Sequence, residues 1–205
     1  MAHVGMKYPV AAPLTEANGA ASYADGFVIG KAIEFSGNPN SNDVELWADD
    51  GIAETDKSLK NLETSMNVDD LSLKVQADLL GHTYTAAVDA VEADNTATPP
   101  VAAVAAVPEG IVIKESDTAP FYGEGFYKRR KKNGVITYTV VWLHKVQHTR
   151  PAENAATKGE NIEFQTDTIN GKAYPLDSGE IYEKHVFTTE AAAIAWLNDK
   201  ADISA

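Results

Sequence analysis

From Phe121 to His148, hydrophobic and polar residues alternate with the two-residue period of a β-strand, on both sides of an Asn133-Gly134 pair. Asn-Gly supplies the two positive-φ positions of a type I′ turn, so Phe121–Lys128 and Val135–His148 are expected to form a hairpin. In its second strand Ile136, Tyr138, Val140, Trp142 and Val146 point one way, and Thr137, Thr139, Val141, Leu143 and Lys145 the other. Both faces are substantially apolar, so both are expected to be covered. A second hairpin, Asn161–Ile169 with Lys172–Leu176, is read around Asn170-Gly171, and Ile181–Phe187 gives a last strand.

Earlier in the chain the pattern is less regular. Residues 1–25 are rich in Ala, Gly, Pro and Asn and read as an extended N-terminal arm, with a short strand near Val4–Tyr8. Phe27–Phe35 reads as a strand interrupted at Gly30 and Lys31. Residues 37–58 read as a long acidic loop or exposed hairpin, with a short strand at Val44–Ala48 and a turn at Asp49-Asp50-Gly51. Leu62, Thr64, Met66 and Val68 line one face of a strand over Leu59–Val68.

Two helices follow from the 3.6-residue period. Leu71, Val75 and Leu79 predict one over about 70–80, capped by Asp69 or Asp70 and ended by Gly81. Ile194, Leu197 and Ala201 predict a C-terminal helix over about 189–200, capped by Thr188 or Thr189. Between them, Tyr84–Glu92 alternates as a strand, and shorter strands fall at Val101–Val107 and Ile111–Lys114. The fold class is mainly β with two helices.

Charge narrows the function classes. The 205 residues carry a formal net charge of -13, which repels phosphate backbones and disfavours gripping nucleic acid. The absence of cysteine excludes thiol catalysis, disulfides and Cys-type zinc sites. No apolar run approaches the roughly 20 residues that a spanning helix needs, so membrane insertion is not expected. MAHVGMKYPV lacks the features of a secretory signal, so synthesis in a cytosol is expected.

Chemistry is hard to find. His144 and His148 would make a metal pair on a helix, but on a strand four residues span about 13 Å, too far for one ion. Asp49-Asp50 and Asp69-Asp70 suit a turn and a helix cap better than catalysis. Gly123-x-Gly125 lacks the rest of a dinucleotide fingerprint, and nucleophile-elbow, Walker and EF-hand patterns are missing. No cofactor is implied, and an enzyme is not expected. The one basic cluster, Lys128-Arg129-Arg130-Lys131-Lys132, has three readings: a phosphate contact, a solvated hairpin tip, or a partner for an acidic patch on another subunit. The net charge favours the last two.

Taken in order, LWADDGIAETDKS, VDDLSLKVQADLLGH, APFYGEGFYKRRKKNGVITYTVVWLHKVQ, TKGENIEFQTDTINGKAYP and TTEAAAIAWLND resemble the major tail (tail tube) proteins of siphovirus-type phages and prophages of Gram-positive bacteria. They span roughly residues 4–201, and the resemblance does not extend to the Ala/Pro-rich stretch 93–110. The resemblance implies a single tail-tube domain over 1–205, a β-sandwich or barrel with a flanking helix. It implies self-association into rings, usually hexameric, stacked into a virion tail that conducts DNA without binding it specifically. Tape measure and tail terminator or tip proteins would be its partners, and the host cytoplasm its place of synthesis. On this reading Asp43, Glu45, Trp47, Asp49, Asp50, Glu54 and Asp56, with Lys128, Arg129, Arg130, Lys131 and Lys132, are candidate inter-ring or inter-subunit contacts. Deleting residues 1–20 or 40–57 is then expected to leave a folded monomer that forms no tube. A β-sandwich binding module for surface carbohydrate or a protein ligand is the alternative, resting on Trp47, Tyr122, Phe126 and Tyr127 as exposed aromatics.

Overall fold

The computed structural model describes residues 2–17, 20–48, 51–93, 102–151 and 166–204. The chain divides into two compact units, Met1–Leu71 with Pro120–Ala205, and Ser72–Ala119. The larger unit contains β1 (Ala2–Ala17), β2 (Ala20–Tyr23), β3 (Phe27–Val28), β4 (Ala32–Ser41), β5 (Val44–Ala48), β6 (Gly51–Asp56) and β7 (Leu59–Val68). The smaller has α1 (Leu73–Leu80), β8 (Thr83–Thr85) and β9 (Gly110–Val112). The larger then resumes with β10 (Phe121–Lys132), β11 (Val135–Thr149), β12 (Asp167–Ala173), β13 (Tyr182–Phe187) and α2 (Glu190–Ala201).

The fold is mainly β. Where a sandwich or barrel is expected, hydrogen bonds join nine strands into one antiparallel sheet, β2-β1-β10-β11-β12-β7-β4, with β13 on β11 and β3 on β1. The β10–β11 hairpin is its spine, and Asn133 and Gly134 make its turn at φ 49° and 81°. One apolar face packs under α2: Val10, Ala12, Tyr127, Val140 and Trp142 meet Ala193, Leu197 and Ala201. The other packs Leu143 and Val146 against Leu62, Ala173 and Ile181, with Phe35 beside them. The sheet thus bends far enough to bring the Phe35 ring on β4 within 4.5 Å of Phe126 on β10, centroid to centroid.

Three expectations change. Residues 2–17 are not an arm: β1 pairs with β10 from Ala2↔Lys131 to Pro13↔Tyr122, and Val10, Ala11 and Ala12 are fully buried. Low hydropathy misleads here because Val10 and the small Ala12 fill the space beneath α2. Asn170-Gly171 is not a turn. β12 runs straight through it between β11 and β7, and Gly171 lets β11 approach, since a Cβ there would stand 2.9 Å from the Gln147 carbonyl oxygen. The other part of that hairpin, 161–165, lies outside the described residues. Finally, Val146 does not share a face with Trp142. A β-bulge between Leu143 and Val146 turns it over to join Leu143.

The helices keep their positions with different details. Ser72, not Asp69 or Asp70, caps α1 by accepting from the Val75 amide, and Gly81 ends it at φ 72°. Asp69 instead accepts from the Lys31 amide at 2.8 Å. Thr189 caps α2, and Ala193, Leu197 and Ala201 form its buried stripe. Within the smaller unit β8 pairs with β9, and single bridges at Val88↔Val107 and Val91↔Val104 extend that ribbon. His82, buried there, shares its Nδ1 with an Asp117 carboxylate oxygen at 2.9 Å.

Candidate assembly surface

The acidic stretch is an ordered ribbon. β4 and β7 pair out to Ser41↔Leu59, and β5 and β6 continue from Val44↔Asp56 to Ala48↔Gly51. The junction is pinned by the Asn42 amide donating to the Ser58 carbonyl at 2.8 Å and by its side chain donating to Asp56 and Ser58. The Asp56 carboxylate also accepts from the Ser58 amide, which holds its pKa below the ordinary value. Asp56 is therefore structural at this junction. Asp43 lies within 3.8 Å of Lys57, a solvated pair worth little.

Along β5 and β6 the side chains sort by register. Val44, Leu46, Glu54 and Asp56 share one face; Glu45, Thr55, Trp47 and Ile52 share the other, after a bulge between Leu46 and Trp47. Val44, Leu46, Trp47 and Ile52 are 51–63% exposed. A two-stranded hairpin with no packed face is marginally stable by itself, and apolar side chains this exposed mark a contact surface. Asp49 and Asp50 lie outside the described residues.

The basic run is not one patch. Strand alternation sends Lys128 to the Phe126 side of β10 and Arg129 to the side carrying Tyr127, where it faces the Glu190 carboxylate at the start of α2. The Tyr127 hydroxyl also donates to that carboxylate, and this hydrogen bond holds the Glu190 carboxyl below its ordinary pKa. Arg130 is half-buried, with its Nε unpartnered. Lys131 and Lys132 stand exposed beside the turn, and Arg129 is exposed further along β10. Among the described residues no ion pair links this run to residues 43–56 of the same chain.

Several residues were unremarked in the sequence. Glu124 is fully buried in β10, its Oε2 4.0 Å from the equally buried His148 Nε2. Both atoms lack hydrogen-bond partners. Burial pushes the Glu124 carboxyl up to about 8 and the His148 imidazole down to about 4. The signal was the charged residue inside FYGEGFY at a position of core parity. His144 lies on the opposite face from His148, with Nδ1 3.2 Å from the Tyr23 hydroxyl, because the bulge intervenes. Among the described residues no three His, Asp or Glu side chains converge on a metal position, and no helix is long and apolar enough to cross a membrane.

Of the four aromatics that suggested a binding face, Tyr122, Phe126 and Tyr127 are at most 4% exposed and belong to the core. Trp47 is left. No protein-family model matches this chain, and no curated protein is significantly similar to it.

Proposed function

We propose that the protein is a structural self-assembly subunit of the phage tail tube type. Its copies join into rings, hexameric by the sequence resemblance, and the rings stack into a virion tail through which DNA passes. The observation that carries this reading is the ribbon of β4–β7. It is ordered by its own hydrogen bonds, yet it holds four large apolar side chains in water. A surface of that kind is accounted for by a partner, and a chain of net charge -13 leaves the phosphate backbone a poor one. Tape measure and terminator or tip proteins would be its further partners, and continuation of its bent sheet across subunits its mode of ring closure. The carbohydrate-module alternative loses three of its four aromatics to the core.

Size-exclusion chromatography at rising protein concentration tests the reading. Elution should move from monomer to discrete large assemblies. A chain that stays monomeric across that range is a binding module rather than a tube subunit.

A further inference from the structure

The mouth of the bent sheet holds a cavity of about 190 Å³, lined by Phe35, Leu62, Phe126, Val141 and Leu143 and rimmed by Lys128 and Lys184. A cavity of about 150 Å³ already holds a benzene, so this one matches a single aromatic side chain. The Lys128 ammonium lies 5.3 Å from the Phe126 ring centroid and 5.9 Å from that of Phe35. Neither Lys128 nor Lys184 pairs with a carboxylate among the described residues. Burial and the nearby Lys184 both hold the Lys128 ammonium below its usual range, so the rim is an electropositive edge on an apolar well. β4 and β13, which flank the cavity, each pair with a single neighbour, so its approach is framed by two sheet edges.

The same chain carries the complementary shape. Trp47 is 63% exposed near the tip of the β5–β6 ribbon, with Ile52 across from it and Glu45 two residues behind on the same face. Two residues along a strand are about 7 Å, so the Glu45 carboxylate stands close behind the indole on the same face. Within one molecule no hydrogen bond or ion pair brings Glu45 to either lysine among the described residues. We propose that the Lys128/Lys184-rimmed cavity of one copy receives the Trp47 side chain of a second copy, with Glu45 of that copy pairing with the rim lysines. The contact is heterologous: each copy offers one knob and one socket, so it propagates instead of closing as a twofold dimer. This names the contact residues of the self-assembly reading and rests on it.

Complementation tests it, using Trp47→Ala as the knobless chain and Lys128→Glu/Lys184→Glu as the socketless one. Lys184→Glu alone serves where the half-buried Lys128 proves needed for folding. Sedimentation velocity should show wild-type association, on the order of thirtyfold weaker for each variant alone, the loss expected for a Trp hot spot. Mixing the two variants should restore a single capped 1:1 complex, since one retains the socket and the other the knob. Wild-type-like association by Trp47→Ala, or no complex in the mixture, would overturn the knob and socket. Filaments formed by Trp47→Ala would do so while leaving the tube reading intact. A 1:1 complex in the mixture without wild-type filaments would keep the contact and remove the tube.

Discussion

Gly125 lies directly beneath the Trp142 ring, and a Cβ at that position would also come within 2.7 Å of Leu197 Cδ2 on α2. Gly123 stands in the same relation to Trp142 and to the Tyr23 ring. The Gly-x-Gly spacing therefore makes a flat seat on β10 for an indole reaching across from β11. Gly125→Ala should destabilise the chain by about 1–3 kcal/mol through overpacking, read as a lower midpoint in urea denaturation. An unchanged midpoint would mean that the ring is free to move aside.

Truncation of the N-terminus should unfold the chain, not merely silence its assembly. β1 contributes the fully buried Val10, Ala11 and Ala12 and the backbone ladder to β10. Removing residues 1–20 strips that ladder from beside β10, leaves β2 and β3 without their partner, and opens the floor under α2. Near-UV circular dichroism should lose its tertiary signal. A truncated chain with the native spectrum would return residues 2–17 to the role of a detachable arm.

The Glu124–His148 pair makes stability depend on pH from both sides. Glu124 keeps its proton in the folded chain, so its contribution is intact below its ordinary pKa of 4.5 and is lost as pH rises through about 8. His148 stays neutral, so its contribution is intact above 6.5 and is lost as pH falls through about 4. Each group can change stability by at most about 1.4 kcal/mol per pH unit. Glu124→Gln should gain on the wild type steadily as denaturation is repeated from pH 5 to pH 8. A gap between the two that stays constant over this range would show that Glu124 ionises freely in the fold.

On the ribbon, substitutions should separate folding from association. Val44, Leu46 and Trp47 touch no buried cluster, so Leu46→Ser or Trp47→Ala should move monomer stability by no more than about 0.5 kcal/mol. Asn42→Ala should cost more, about 1 kcal/mol, because it removes the donor to both Asp56 and Ser58. Thermal melts of the dilute monomer measure both. Equal losses at Asn42 and Trp47 would mean that the ribbon folds back on the core.

Periodicity made much of the fold legible. The Asn133-Gly134 turn, the Leu62–Val68 face and the two helices lie where local pattern places them, because strong alternation and capping residues act within a few positions. Long-range packing decided the rest. Nothing local shows that Asn170-Gly171 is held straight between two strands, that Val10 and Ala12 fill a space under a helix about 180 residues away, or that a bulge inverts Val146. The candidate surface was half legible. The acidic ribbon and Trp47 stood out by composition. The socket did not, since Phe35, Leu62, Val141 and Lys184 come from four strands that only the bent sheet brings together.

The central claim is that this chain assembles with itself into a tube, and negative-stain electron microscopy of the concentrated protein measures that most directly. Hollow filaments of uniform width, or stacked rings of one diameter, are the predicted result. Fields of single small particles at every concentration would contradict it.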